Sequence, residues 1–157
     1  MMEEQIWQIT ILQALDLKNR FGMQHAFCAA TLTHLSKLHT SLRTLEIFSS
    51  LGQSINLQPY ILSKLAIALS IRKGSLEPSD FQTDNNGLEL SRQVIFGDHD
   101  LLFRSLIVNN EGKAVREEDY FPDLVKAHLD RGAKLLEDEK RYTKDIYNHL
   151  CRLDDNL

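Results

Sequence analysis

The chain has 157 residues, of which 43% are apolar and 25% charged, the size and composition of one globular domain that can bury a core. A formal charge of −4 gives no overall nucleic-acid signal, and no apolar run reaches the length of a membrane span. Two distant cysteines, Cys28 and Cys151, suggest neither a disulfide framework nor a zinc site. The first residues carry Glu3 and Glu4 and no basic n-region, so they do not read as a secretory signal. A cytoplasmic protein with reduced thiols and no cofactor is expected.

The charge is unevenly spread. Residues 1–36 carry −1 and residues 75–157 carry −7, whereas residues 37–74 carry +4 through Lys37, Arg43, Lys64, Arg72 and Lys73 against Glu46 alone. A local basic field in an acidic protein can face an anion. On charge alone, a solvated face accounts for it equally well.

From the N-terminus, residues 5–18 ("QIWQITILQALDLK") suit a short amphipathic helix or a strand equally. Thr31 to Ser36 reads as a short strand, after which Ser36 is expected to cap a helix over Lys37–Leu51. Leu38, Leu42, Leu45, Phe48 and Leu51 would form its apolar stripe, and Gly52 would end it. Pro59 is placed for the first turn of a second helix that closes at Gly74. That helix is apolar on most faces, which predicts the core or an oligomer interface. Arg72 and Lys73 offset the dipole at its C-terminus, a role that competes with any ligand role.

Residues 75–87 ("SLEPSDFQTDNNG") read as a loop that closes on an Asn86-Gly87 turn. A helix is expected from Asp98, capped by its own carboxylate, and residues 109–120 form another connection. Pro122 then opens a long helical segment holding Leu124, Val125, Leu129, Leu135 and Leu136. Tyr142, Ile146, Leu150 and Leu153 continue the pattern after a break. The chain therefore reads as a mainly α, compact helical domain with a short N-terminal strand. Strand, capped helix, turn and second helix is the order of a ribbon–helix–helix module, in which strands of two chains pair. Thr31, Thr33 and Lys37 are then available for base readout.

Glu89, Arg92, Asp98, His99 and Asp100 crowd one stretch, "NNGLELSRQVIFGDHD". A metal-dependent nicking site would need those carboxylates to converge, with His99 carrying a proton. Asp98 and Asp100 are two apart at a helix start and point away from each other. Acids there are favoured by the helix dipole without any function. We therefore read the stretch as architecture. Leu88, Leu90, Val94, Ile95 and Phe96 point inward, Gly97 permits a sharp entry, Asp98 is the cap, and Glu89 pairs with Arg92. His25, His34 and His39 lack the spacing of a helical zinc site, and neither a glycine-rich phosphate loop nor a nucleophile elbow occurs.

The run from Leu35 to Leu136 resembles the DndE family of DNA sulfur-modification proteins. The resemblance rests on three motifs in order. "LSKLHTSLRTLEIFSSLGQSINLQPYILSKLAIALSI" is similar to the family's opening strand, first helix, turn with Asn56 and long second helix. "NNGLELSRQVIFGDHDLLFRSLI" is similar to its Gly-x-Glu followed by an apolar-Phe-Gly turn and a helix. "AHLDRGAKLLE" is similar to its closing His-x-x-Arg-Gly helix. None is a catalytic signature.

The resemblance implies an accessory protein of DNA backbone phosphorothioation, in which sulfur replaces a non-bridging phosphate oxygen. It implies a ribbon–helix–helix-like fold, a homotetramer, and binding of duplex or nicked DNA through surface bases. It also implies work beside a cysteine desulfurase and the other components of the system. Carried over, the DNA-binding candidates are Lys37 and Arg43 on the first helix and Lys64, Arg72 and Lys73 on the second. Residues 1–35 have no counterpart and are expected to be a variable appendage on a domain of residues 36–157. Two alternatives stay open: a DNA-nicking enzyme using Asp98, His99, Asp100 and Glu89, and a scaffold that binds only protein partners.

Overall fold

A computed structural model describes residues 37–143. The 5–18 segment, the Thr31–Ser36 strand with its Thr31 and Thr33, both cysteines, and the continuation through Ile146, Leu150 and Leu153 lie outside the described residues.

The fold is mainly helical with one two-stranded sheet. β1 (Lys37–His39) pairs antiparallel with β2 (Glu89–Ser91), Leu38 opposite Leu90. Both strands alternate outward and inward, and these two leucines are the buried members. Lys37 therefore lies on a strand, and the first helix, α1, spans Leu42–Ile55. Its cap is Ser41, not Ser36: the backbone there is extended, and the hydroxyl accepts from the Thr44 N–H at 3.2 Å. The later start changes the buried stripe to Thr44, Ile47, Phe48 and Leu51, and leaves Leu42 46% exposed. α1 also runs past Gly52 to Asn56, whose φ of 52° gives the left-handed stop that asparagine tolerates.

α2 (Pro59–Lys73) matches the expected helix at both ends. Pro59 occupies the first turn, and the Gly74 N–H donates to the Ile71 carbonyl. Leu62, Ala66, Ile67 and Ile71 are fully buried, whereas Ile61, Leu65, Ala68 and Leu69 are half-buried. A 3₁₀ turn at Pro78–Phe81, closed by reciprocal Glu77–Asp80 bonds, leads toward β2.

After β2, Ser91 caps the short α3 (Arg92–Phe96), and a 3₁₀ turn (Gly97–His99) enters α4 (Asp100–Glu111). Asp98 therefore lies in the turn and is not the cap; His99 holds that position and makes no side-chain cap bond. Val94 is 51% exposed, because the five-residue helix turns only Ile95 and Phe96 inward. Gly112, at φ 64°, ends α4. A single turn, α5 (Glu117–Asp119), precedes a wide turn over Tyr120–Leu124. The extended backbone of Phe121 interrupts the chain there, so the last helix, α6 (Val125–Tyr142), begins three residues after Pro122.

α6 is the central element and packs on both α1 and α2. It crosses α2 where Gly132 meets Ala66, and a Cβ on Gly132 would overlap the Ala66 backbone. The close crossing seals Leu62, Ile67, Leu129 and Leu136 from water. Each such side chain contributes about 1.5–3 kcal/mol relative to an exposed one.

Candidate nucleic-acid interface

Each of the five bases has a different environment. Lys37 pairs across the strands with Glu89 at 2.6 Å, and His39 stands 3.5 Å from the same carboxylate. Glu89 is thus drawn to its strand partner 52 residues away and not to Arg92. The Lys37 ammonium holds its carboxyl below the usual carboxylate range. Arg43, in the first turn of α1, forks onto Glu137 of α6 at 2.7 and 2.9 Å and also meets Glu46.

On α2, Lys64 lies 5.8 Å from the centre of the Tyr60 ring. Partial burial lowers its pKa, and Asp98 opposes that shift. Arg72 and Lys73 are exposed at the helix end. At 100° per residue, Lys64 and Lys73 lie on opposite sides of α2, whereas Arg72 turns about 80° from Lys64.

What fixes the ends of these helices is the run His128–Gly132 of α6. Asp130 is fully buried. It accepts from the Ser41 N–H (3.1 Å), the Thr44 hydroxyl (2.6 Å), the Thr83 hydroxyl (2.7 Å) and Lys126 (3.0 Å). A buried carboxylate is stable only when paired and hydrogen-bonded in this way. It ties the start of α1 and the 78–87 loop to α6.

Arg131 does the same for the end of α2. It donates to the Ser70 and Gly74 carbonyls, to the Ser75 carbonyl at 2.8 Å, and to Asp80 at 3.2 Å. These are carbonyls that a helix C-terminus otherwise leaves unpaired. Its Nε–H donates to the Ser70 hydroxyl, which lies 2.9 Å from Nδ1 of His128. The Ser70 hydroxyl already accepts from Arg131, which leaves its own proton for Nδ1, while Nε2, 3.4 Å from Glu111, is buried without a hydrogen bond among the described residues. Burial, helped by the nearby Arg131 charge, pushes the His128 pKa down to about 3.

The crowded stretch between Asn85 and Asp100 is also bound internally. Gly87 permits a close approach to Thr40 and Ser41, where a Cβ would collide with the backbone. Both oxygens of Asp100 are taken by Arg92, each at 2.7 Å. Asp98 is exposed, and the carboxylates do not converge. Among the described residues, no group of three His, Cys, Asp or Glu side chains is arranged to hold a metal ion. No helix among them is long and apolar enough to cross a membrane.

Sequence reasoning singled out the His-x-x-Arg-Gly motif only as a signature. It missed the anchoring by Asp130 and Arg131. The one available signal was an acid and a base at adjacent positions inside an apolar helical stripe, where unpaired charge is costly.

Comparison with known proteins accords with this geometry. A family model described as DNA sulphur modification protein DndE matches residues 37–144, more than half of the chain. The match includes the sheet, α1, α2 and the anchoring run of α6. Among solved structures, the chain is similar to DndE from Escherichia coli B7A, described as involved in DNA phosphorothioation modification. Sequence identity is 17% and the TM-score 0.52, with 64% of this chain and 95% of that one covered. At that identity the likeness is one of fold. No curated protein matches. With the family model spanning the whole helical core, the chain belongs to the DndE family of DNA sulphur modification proteins.

Proposed function

We propose that this chain is an accessory DNA-binding protein of a DNA backbone phosphorothioation system, and that it holds duplex or nicked DNA on a basic surface of a homo-oligomer. The observation that carries the reading is family membership through residues 37–144. The five candidate bases add a way to meet phosphate, with Arg72 and Lys73 exposed on a helix end that Arg131 ties to α6.

Lys37 and Arg43 already face carboxylates, so one protomer offers a thin footprint. Several copies on one face would multiply it, and phosphate affinity grows with the number of charges neutralised. The half-buried apolar strip Ile61, Leu65, Ala68 and Leu69 of α2 is a surface on which such copies can meet. A tetramer, working beside a cysteine desulfurase and the other modification components, is the assembly we favour. Residues 1–35 would be an appendage to the domain at 36–157.

Binding of intact and nicked duplexes across a salt series, with the mass of the free protein determined alongside, tests this reading. An oligomer whose affinity falls steeply with salt and weakens in Lys64→Glu or Arg72→Glu supports it. A well-folded oligomer that binds no duplex leaves a scaffold acting through proteins. Magnesium- or manganese-dependent plasmid relaxation lost in Asp98→Ala would favour the nicking enzyme.

A further inference from the structure

Where α3, α4 and α5 meet, the chain carries an oxyanion of its own. Arg92 gives Nε and one terminal nitrogen to Asp100 and turns the other terminal nitrogen to Oε1 of Glu117. Arg104 reaches Oε2 of the same Glu117 at 3.0 Å. One carboxylate therefore bridges two guanidiniums. Both lie over the Tyr120 ring, 5.0 and 5.8 Å from its centre. Tyr120 is fully buried, and its hydroxyl has no hydrogen-bond partner among the described residues. The cluster opens to solvent through the three charged side chains: Arg92 is 24% exposed, Arg104 36% and Glu117 50%.

We propose that Arg92 and Arg104, backed by Tyr120, form a binding site for a phosphate-type oxyanion, which Glu117 fills as an internal plug. The two oxygens of Glu117 take separate guanidiniums, as two non-bridging oxygens of a phosphate group would. Paired arginines suit that geometry because each presents a planar, permanently charged fork. The hydrogen bond from Arg92 to Asp100 leads the causes that hold the Arg92 guanidinium charged, with Glu117 adding to it.

The two carboxylates are not equivalent. Asp100 sits on the twelve-residue α4 and takes two hydrogen bonds from one arginine, so it stays behind and keeps Arg92 in place. Glu117 sits on a three-residue turn whose cap residue, Arg116, makes no side-chain cap bond. Half-exposed, it can swing out at little cost. A phosphate dianion entering there would also feel Asp100 and the neighbouring acids of α5, and Arg116 already offsets Glu118 and Asp119. The site shares no residue with the five-base set, so its failure and the failure of the DNA reading are distinguishable.

The test is titration of inorganic phosphate into the full chain, at ionic strength held constant with chloride, while the arginine Nε–H signals are followed by NMR. The parent, Glu117→Gln and Arg104→Gln are compared. Expected are saturable shifts of the Arg92 and Arg104 signals, half-saturation at several-fold lower phosphate in Glu117→Gln, and loss of saturation in Arg104→Gln. Silence of the parent with saturation of Glu117→Gln equally supports the plug. Absence of saturable shifts in Glu117→Gln, or the same response in all three proteins, overturns the proposal. A short duplex added to the phosphate-loaded Glu117→Gln protein separates the sources. Displacement assigns the site to a nucleic-acid backbone, and no displacement assigns it to a small phosphate compound.

Discussion

The anchoring run of α6 and the rim of exposed bases are built on opposite terms. In His128–Gly132 each polar side chain is buried and committed to another helix: Asp130 to the start of α1, His128 and Arg131 to Ser70 and the end of α2. Lys37, Arg43, Arg72 and Lys73 are exposed, and Lys37 and Arg43 pair with carboxylates that water also reaches. Exposed pairs contribute little to stability, whereas leaving a buried charge alone is costly. One of the three motifs behind the resemblance, His-x-x-Arg-Gly, thus holds the helices together. The chemistry toward DNA is sought elsewhere.

The sharpest way to break this contrast is Asp130→Ala. It leaves the Lys126 charge and the Ser41 N–H without their acceptor, and a loss of about 3–5 kcal/mol is expected in urea unfolding, as for other broken buried pairs. Gly132→Ala comes next. The added methyl overlaps the Ala66 backbone, and forcing the helices apart is expected to cost about 1–3 kcal/mol. A midpoint equal to the parent's in either variant would remove α6 from the centre of the fold.

His128 sharpens the contrast through pH. Its folded pKa, about 3, lies below the ordinary histidine value of 6.5, so the unfolded chain binds the proton more readily. Its contribution is therefore present above about pH 6.5 and lost progressively as pH falls toward 3. Unfolding midpoints measured from pH 7 to pH 4 are expected to fall less steeply in His128→Gln than in the parent. A parallel fall in both would exclude His128 as a source of acid sensitivity. At the rim, Lys37→Ala is expected to leave the unfolding midpoint unchanged, because Glu89 keeps water as its partner.

Legibility in the sequence followed the range of the interactions. α2 was readable from Pro59 and Gly74, since both act on their own backbone. The start of α1 was not. Ser36 and Ser41 are both competent caps, and the choice is made by β2, which pairs with residues 37–39 from a third of the chain away. Glu89 and Arg92 looked like partners because they are three apart. The fold instead sends one to Lys37 and the other to Asp100 and Glu117. Asp98 likewise had the composition of a cap but falls inside a 3₁₀ turn. For the candidate interface, the residue identities were legible and their surroundings were not, since Glu137, the partner of Arg43, is 94 positions away.

The most direct measurement is duplex binding by an Arg72→Glu, Lys73→Glu double variant beside the parent, over a salt series and at equal oligomeric mass. The expected result is weaker binding with a shallower dependence on salt, because fewer phosphates are neutralised, while the protein stays folded at a cost of about 1–2 kcal/mol from two acids that oppose the dipole at the end of α2. Unchanged affinity and salt dependence in a folded double variant would contradict the assignment of DNA contact to the end of α2.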